Sequence, residues 1–261
     1  MKAMMQDSKV LVIDNLSIEF GGLKAVSNFS MEMHKKELIG LIGPNGAGKT
    51  TIFNLITGLY RPTSGTIQLM GEDITDLVTH KRVQKGIART FQNIRLFKSM
   101  TVLENVKVAM HKNIRYGTLA AILRLPTYYK EEKWVEEKAE ELLKEVGLYS
   151  LRNELATNLP YGKQRRLEIA RALAIQPKIL YLDEPAAGMN PQETKELTEL
   201  IDHIREKYKL TVILIEHDMS LVMKICERIY VLNYGKMIAN GTPEEIKQNE
   251  FVVKAYLGEE I

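Results

Sequence analysis

The sequence holds a single cysteine, Cys226, among 261 residues. One thiol excludes an internal disulfide and any zinc or iron–sulfur centre built from several cysteines. The five histidines include no HExxH pair, so metal chemistry has to rest on oxygen ligands. No run approaches the ~18 consecutive apolar residues of a membrane-spanning helix. Residues 1–12 lack the basic, apolar, small-residue order of a secretory signal. The expectation is a soluble, intracellular chain. Charge of one sign is scarce too: 36 Lys and Arg face 33 Asp and Glu, a net charge of +3. Nucleic-acid binders usually show a clear basic excess, so no nucleic-acid partner is expected.

What is there is an ordinary globular composition, 45% apolar and 26% charged, which argues against disorder. The length exceeds one unit of ~100–200 residues, so a large core with a smaller inserted lobe is expected. Val10 and Val12, then Leu16, Ile18 and Phe20, alternate like strands, and Gly21-Gly22 ends the second run. Residues 38–42, 179–182 and 211–215 are continuous apolar runs, the pattern of strands buried on both faces. Helical stretches separate them, so the fold class is α/β with a mostly parallel sheet. Between about 102 and 148 no such strand occurs. Val135, Ala139, Leu142, Leu143 and Val146 instead share a helical face, with Gly147 as its stop. Thr242-Pro243-Glu244-Glu245 carries the cap, proline and acid that open a C-terminal helix.

Gly43-Pro44-Asn45-Gly46-Ala47-Gly48-Lys49-Thr50 fits G-x-x-x-x-G-K-[ST] and stands between a buried strand and a helix. Glycines let successive N–H groups face phosphate oxygens, and the helix N-terminus adds its positive dipole end. Lys49 then opposes the β- and γ-phosphates, and the Thr50 hydroxyl, followed by Thr51, is placed to ligate Mg²⁺. The motif alone means nucleotide binding, which kinases, GTPases and motors share. The guanine-reading N-K-x-D is missing. Asp183 and Glu184 leave the second buried run, where ligands of such sheets bind. Asp183 is expected to hold Mg²⁺ and Glu184 to orient and deprotonate the attacking water. Glu216-His217-Asp218 leaves the third run, placing an imidazole to donate to the γ-phosphate.

The order of these pieces resembles the ATP-binding cassette ATPases over nearly the whole chain. The resemblance implies a P-loop NTPase fold with an N-terminal antiparallel β subdomain, a mostly parallel central sheet and an inserted helical subdomain. The core then spans 1–92 and 177–240, the insertion 93–176 and a helical tail 241–261. It also implies ATP and Mg²⁺ as cofactors. Phe20 matches the family's adenine-stacking aromatic, with Val26 also at the nucleotide. Gln92 matches the glutamine that senses Mg²⁺ and the water, and His217 the switch histidine. Residues 187–190 match the loop that crosses the dimer interface, with Asn190 in place of its usual aspartate. The signature position is Leu159-Pro160-Tyr161-Gly162-Lys163, of which Tyr161, Gly162 and Lys163 would meet the nucleotide of a second ATPase subunit.

Residues 20–26, 186–191, 215–219, 240–246 and the end Ala255-Tyr256-Leu257-Gly258 look like the branched-chain amino acid importers, specifically the longer of their two ATPase subunits. That likeness implies a second ATPase subunit, two permease subunits, an extracytoplasmic solute-binding protein and a peripheral place on the cytoplasmic membrane face. Importers of urea or amides, lipopolysaccharide exporters and soluble assembly ATPases of the same fold remain alternatives. Residues 105–130 contain Lys107, Lys112, Arg115, Arg124 and Lys130 and no acid, which suits either lipid headgroups and permease loops or a solvated helix. One departure matters: Pro160 replaces the signature serine and supplies neither hydroxyl nor N–H. Restoring serine with Pro160→Ser is expected to raise ATP turnover of the assembled dimer; an unchanged rate would show that the substitution does not weaken the site.

Overall fold

The computed structural model describes residues 9–114 and 116–257; Arg115 and Gly258 lie outside them. In chain order the elements are β1 Lys9–Phe20, β2 Leu23–His34, β3 Leu38–Ile42, α1 Lys49–Ile56, β4 Ser64–Leu69, β5 Glu72–Asp73, α2 Thr79–Lys85 and β6 Ile87–Arg89. There follow α3 Val102–Ala109, α4 Thr118–Ile122, α5 Pro126–Glu145 and α6 Tyr161–Ala174. The chain then forms β7 Ile179–Asp183, α7 Pro191–Tyr208, β8 Thr211–Ile215, α8 Met219–Ile225, β9 Arg228–Asn233, β10 Lys236–Gly241, α9 Pro243–Lys247 and α10 Glu250–Leu257. Two compact units divide it: Met1–Arg89 with Lys178–Ile261, and Thr90–Pro177. Among the described residues no helix is long and apolar enough to cross a membrane.

The first unit carries both sheets. Four antiparallel strands run in the order β2-β1-β4-β5, and six run in the order β10-β9-β3-β8-β7-β6. In the larger sheet, β9, β3, β8, β7 and β6 are parallel and only β10 is antiparallel. Every residue of β3, β7 and β8 is buried, as their unbroken apolar runs require. The two short runs read near the N-terminus form one strand, β1. Register shifts in its pairing with β2 interrupt the alternation between Ile13 and Leu16. The Phe53 ring meets Tyr181 edge-on at 5.2 Å, locking α1 onto β7. Asn190 and Thr242 each close a capping box, with Glu193 and Glu245, as the local sequence indicates.

The second unit is helical. Val135, Ala139, Leu142 and Leu143 are buried along α5, and Gly147 takes a positive φ just beyond its end. Arg165 is 0% exposed. Its guanidinium donates to the Glu168 carboxylate at 2.7 Å, to the Phe91 and Gln92 carbonyls at 2.6 and 2.8 Å, and to the Tyr161 hydroxyl at 3.2 Å. Burial pushes the Glu168 pKa up, and Arg165 opposes that shift. The first turns of α6 and the glutamine segment are therefore one polar cluster. Of the basic stretch, Lys107 pairs with Glu132 and Glu136, each at 3.7 Å, while Ile122 and Leu123 are exposed.

Back in the first unit, Arg82 closes the far end of α1. It donates to Leu55 O, Ile56 O, Leu77 O and Thr75 O at 2.6 to 2.8 Å. Burial lowers its pKa, yet the four carbonyls need this cation. Arg82→Met keeps the bulk and strands those acceptors, so it is expected to destabilise the fold by about 3 kcal/mol or more. Urea unfolding followed by circular dichroism measures the difference; a stability equal to that of the parent would refute this role.

Candidate active site

The loop after β3 has a backbone that side chains do not fit. Gly43 has φ 151°, and an added Cβ would lie 2.2 Å from Leu232 O. Gly46 has φ 79° with nothing within 4 Å of that direction, so its bare backbone can be approached closely from outside. Helix α1 begins directly after the loop. Its first turn contains no acid and its N-cap supplies no side-chain hydrogen bond. The α7 and α9 helices cap themselves; α1 instead leaves its N–H groups for an anion brought from elsewhere.

Lys49 is 6% exposed. Its ammonium donates to Gly43 O at 2.6 Å and Pro44 O at 2.9 Å, holding the loop in an arc. Burial pushes its pKa down, and the Glu184 and Asp183 carboxylates act against that shift. The lysine charge and both carboxylates therefore share one electrostatic neighbourhood. Thr50, Asn45 and Gly46 are exposed, and Pro44 and Thr51 are half-buried. Val26, expected at the nucleotide, is 0% exposed, and its side chain lies beside Gly48 of the loop. Phe20 is exposed and meets Tyr60 edge-on at 5.3 Å.

At the exit of β7, Asp183 is buried and Glu184 takes a left-handed backbone with φ 45°. That conformation costs a residue with a side chain about 1–3 kcal/mol and needs support from its surroundings. The Glu184 N–H supplies part of it by donating to Ile215 O at 2.9 Å. The turn brings Glu184 Oε1 to 2.8 Å from His217 Nε2. A carboxylate accepts here, so the imidazole proton sits on Nε2.

Glu216 joins the two loops. It is 3% exposed and accepts from the Ala186 N–H at 2.7 Å and the His217 N–H at 3.1 Å. Burial raises its pKa, the backbone N–H groups of Ala186, His217 and Asp218 lower it, and Glu184 raises it. The sequence showed Glu216 only as the neighbour of a histidine. Arg89 was also missed, although a charge closing the short run Ile87-Ala88-Arg89 is a signal. Its guanidinium donates to Asp183 Oδ2 at 2.7 Å.

The remaining expected residues belong to the second unit. Gln92 accepts through its carbonyl from Arg165, and Tyr161 and Lys163 are exposed in the first turn of α6, with Gly162 between them. Pro160 is the N-cap of that helix and gives no side-chain cap.

These features fit a magnesium–nucleotide complex. The glycine cradle and the uncapped helix suit phosphate groups, and the Thr50 hydroxyl and Asp183 carboxylate are hard oxygen donors. Among the described residues no group of three or more His, Cys, Asp or Glu forms a metal cluster. A hexacoordinate Mg²⁺ with so few protein ligands relies on phosphate oxygens and water.

Comparison with known proteins agrees with this geometry. Residues 26–187 match the ABC transporter family, and residues 236–261 match the family described as branched-chain amino acid ATP-binding cassette transporter. The chain is 50% identical to the high-affinity branched-chain amino acid transport ATP-binding protein LivG of Escherichia coli (strain K12), over 96% of this chain and 98% of that protein. It is 38% identical, over 96% of this chain and 98% of the relative, to the lipopolysaccharide export system ATP-binding protein LptB of Haemophilus influenzae. The crystal structure of the ADP conformation of MJ1267, an ATP-binding cassette of an ABC transporter, superposes with a TM-score of 0.83 at 32% identity, covering 96% of this chain and 99% of that one. The chain belongs to the ABC transporter family, as one of its ATP-binding cassettes.

Proposed function

We propose that this chain powers the uptake of branched-chain amino acids by hydrolysing ATP. It works at the cytoplasmic membrane face in a dimer with a second cassette, identical or homologous, under two permease subunits that receive solute from an extracytoplasmic binding protein. The family supplies the coarser part, an ATPase that acts with membrane permeases. The finer part is supported by the match of the C-terminal residues 236–261 and by identity of 50% to a branched-chain relative against 38% to a lipopolysaccharide one.

The observation that carries the chemistry is the 2.8 Å contact of His217 with Glu184. Phosphoryl transfer to water depends on positioning and charge stabilisation. The loop amides and Lys49 hold the β- and γ-phosphates. Thr50, Asp183 and Gln92 are the residues that would hold Mg²⁺, and the ion would neutralise phosphate charge. Glu184 accepts a proton from the attacking water. His217 orients the Glu184 carboxylate through its Nε2–H, and a bound γ-phosphate would compete with that carboxylate for the same donor. On the partner's nucleotide, the first turn of α6, with Gly162 and Lys163, presents N–H groups and a positive charge. Asn190 keeps the capping duty of the crossing loop, since Asn and Asp cap about equally well.

Glu184→Gln keeps the shape and removes the base. It is expected to retain ATP binding, to lower turnover by at least about a hundredfold, and to accumulate the ATP-bound dimer. Turnover at the parent rate would overturn the assignment. Reconstitution with the permease subunits in liposomes tests the substrate. Leucine, isoleucine or valine with the binding protein is expected to stimulate ATPase activity, whereas urea is not. Stimulation by urea alone, or by lipopolysaccharide, would replace this reading with the corresponding alternative.

A further inference from the structure

Arg89 closes β6 three residues before Gln92, and none of the roles above accounts for it. Its Nη2 donates to Asp183 Oδ2 at 2.7 Å, and its Nη1 donates to Asn54 Oδ1 at 2.7 Å and to Thr57 Oγ1 at 3.4 Å. The guanidinium carbon also lies 5.6 Å from the centre of the Phe53 ring. The ion pair is nearly shut off from water, with side chains 10% and 4% exposed. In that setting the pair is strong and costly to break on one side.

Asn54, Thr57 and Phe53 all belong to α1, whose first turn carries Lys49 and Thr50. Asp183 is the last residue of β7. One planar cation therefore spans the two elements that carry Thr50 and Asp183, two of the three proposed magnesium ligands. A carboxylate gripped through Oδ2 cannot rotate, so it meets an incoming cation from a fixed direction. Part of its charge is already balanced by the guanidinium. An ion is then held well only when nucleotide phosphates add their own oxygens. The fork matters: Nη1 reaches Asn54 and Nη2 reaches Asp183 from separate nitrogens held in one plane, a span and fixed geometry that a single flexible ammonium does not reproduce.

We propose that Arg89 is a positioning residue for the magnesium site, tying Asp183 to α1 so that magnesium is captured with ATP in a single geometry. The proposal rests on the assignment of Asp183 as a metal ligand, and the test separates the two. The affinity of the full chain for a fluorescent ATP analogue is measured with and without Mg²⁺, for the parent, Arg89→Lys, Arg89→Ala and Asp183→Asn, alongside thermal melting. The gain in affinity on adding Mg²⁺ is expected to shrink about tenfold or more in both Arg89 variants, as for other outer-shell partners of metal ligands. Affinity without Mg²⁺ is expected to stay at the parent value.

If Asp183→Asn loses the gain while both Arg89 variants keep it, the role of Arg89 is overturned. If Asp183→Asn itself keeps the gain, the metal assignment of Asp183 is overturned, and this proposal falls with it. If affinity falls equally with and without Mg²⁺ in Arg89→Lys, the residue is only a structural brace and the proposal is wrong. Arg89→Lys decides the matter should Arg89→Ala fail to fold.

Discussion

The site depends on one constraint, the parallel register of β3, β8 and β7. Leu41 pairs with Ile215, and Ile215 pairs with Asp183. Three strands thus end at the same level, and the chain beyond each carries a different chemical tool. From β3 come the glycine loop and Lys49, from β8 Glu216 and His217, and from β7 Asp183 and Glu184. β6 lies beside β7 and adds Arg89. Ligands of open parallel sheets bind outside these carboxyl ends because loops leave the sheet there and helix N-termini point toward it. A strand shifted by one residue would turn its side chains to the opposite face. The buried runs of Val, Ile and Leu therefore fix the chemistry as much as the core.

Polar groups then set the loops in place. Glu216 ties the segment after Glu184 to the segment of His217, and Glu184 itself is held in a strained turn by Ile215 O. Arg82 and Arg89 both fasten the last turn of α1, Arg82 through the carbonyls of Leu55 and Ile56 and Arg89 through the side chains of Asn54 and Thr57. Arg82 and Glu216 are buried and have no water to fall back on, so each is costly to lose and restrictive while present. The helical unit follows the same plan: Arg165 and Glu168 bind the backbone of Phe91 and Gln92 to the start of α6. Tyr161 is drawn into the same cluster by Arg165, although Pro160 before it gives the helix no side-chain cap.

What could be read from the sequence is what is local. The eight residues 43–50 specify their own turn and helix start, and the caps at Asn190 and Thr242 need only four residues each. The exits of β7 and β8 were visible as acids and a histidine ending apolar runs. That Glu184 touches His217 was not, because 33 residues separate them and only the sheet order brings them together. β2 escaped because Asn28 takes a left-handed φ of 49° and breaks the alternation around Val26 and Phe29. Arg89, Arg82 and Arg165 were hidden for another reason. An arginine that binds carbonyls or carboxylates far along the chain has the same letter as one in solvent.

The central claim is that Glu184 and His217 act as one unit at the sheet edge. Single-turnover ATP hydrolysis by the assembled complex tests it in a double-mutant cycle of Glu184→Gln and His217→Ala. Residues that act as a unit give strongly non-additive losses. The expected result is a double variant no slower than the slower single one. Rate losses that multiply would show two independent contributions and contradict the account.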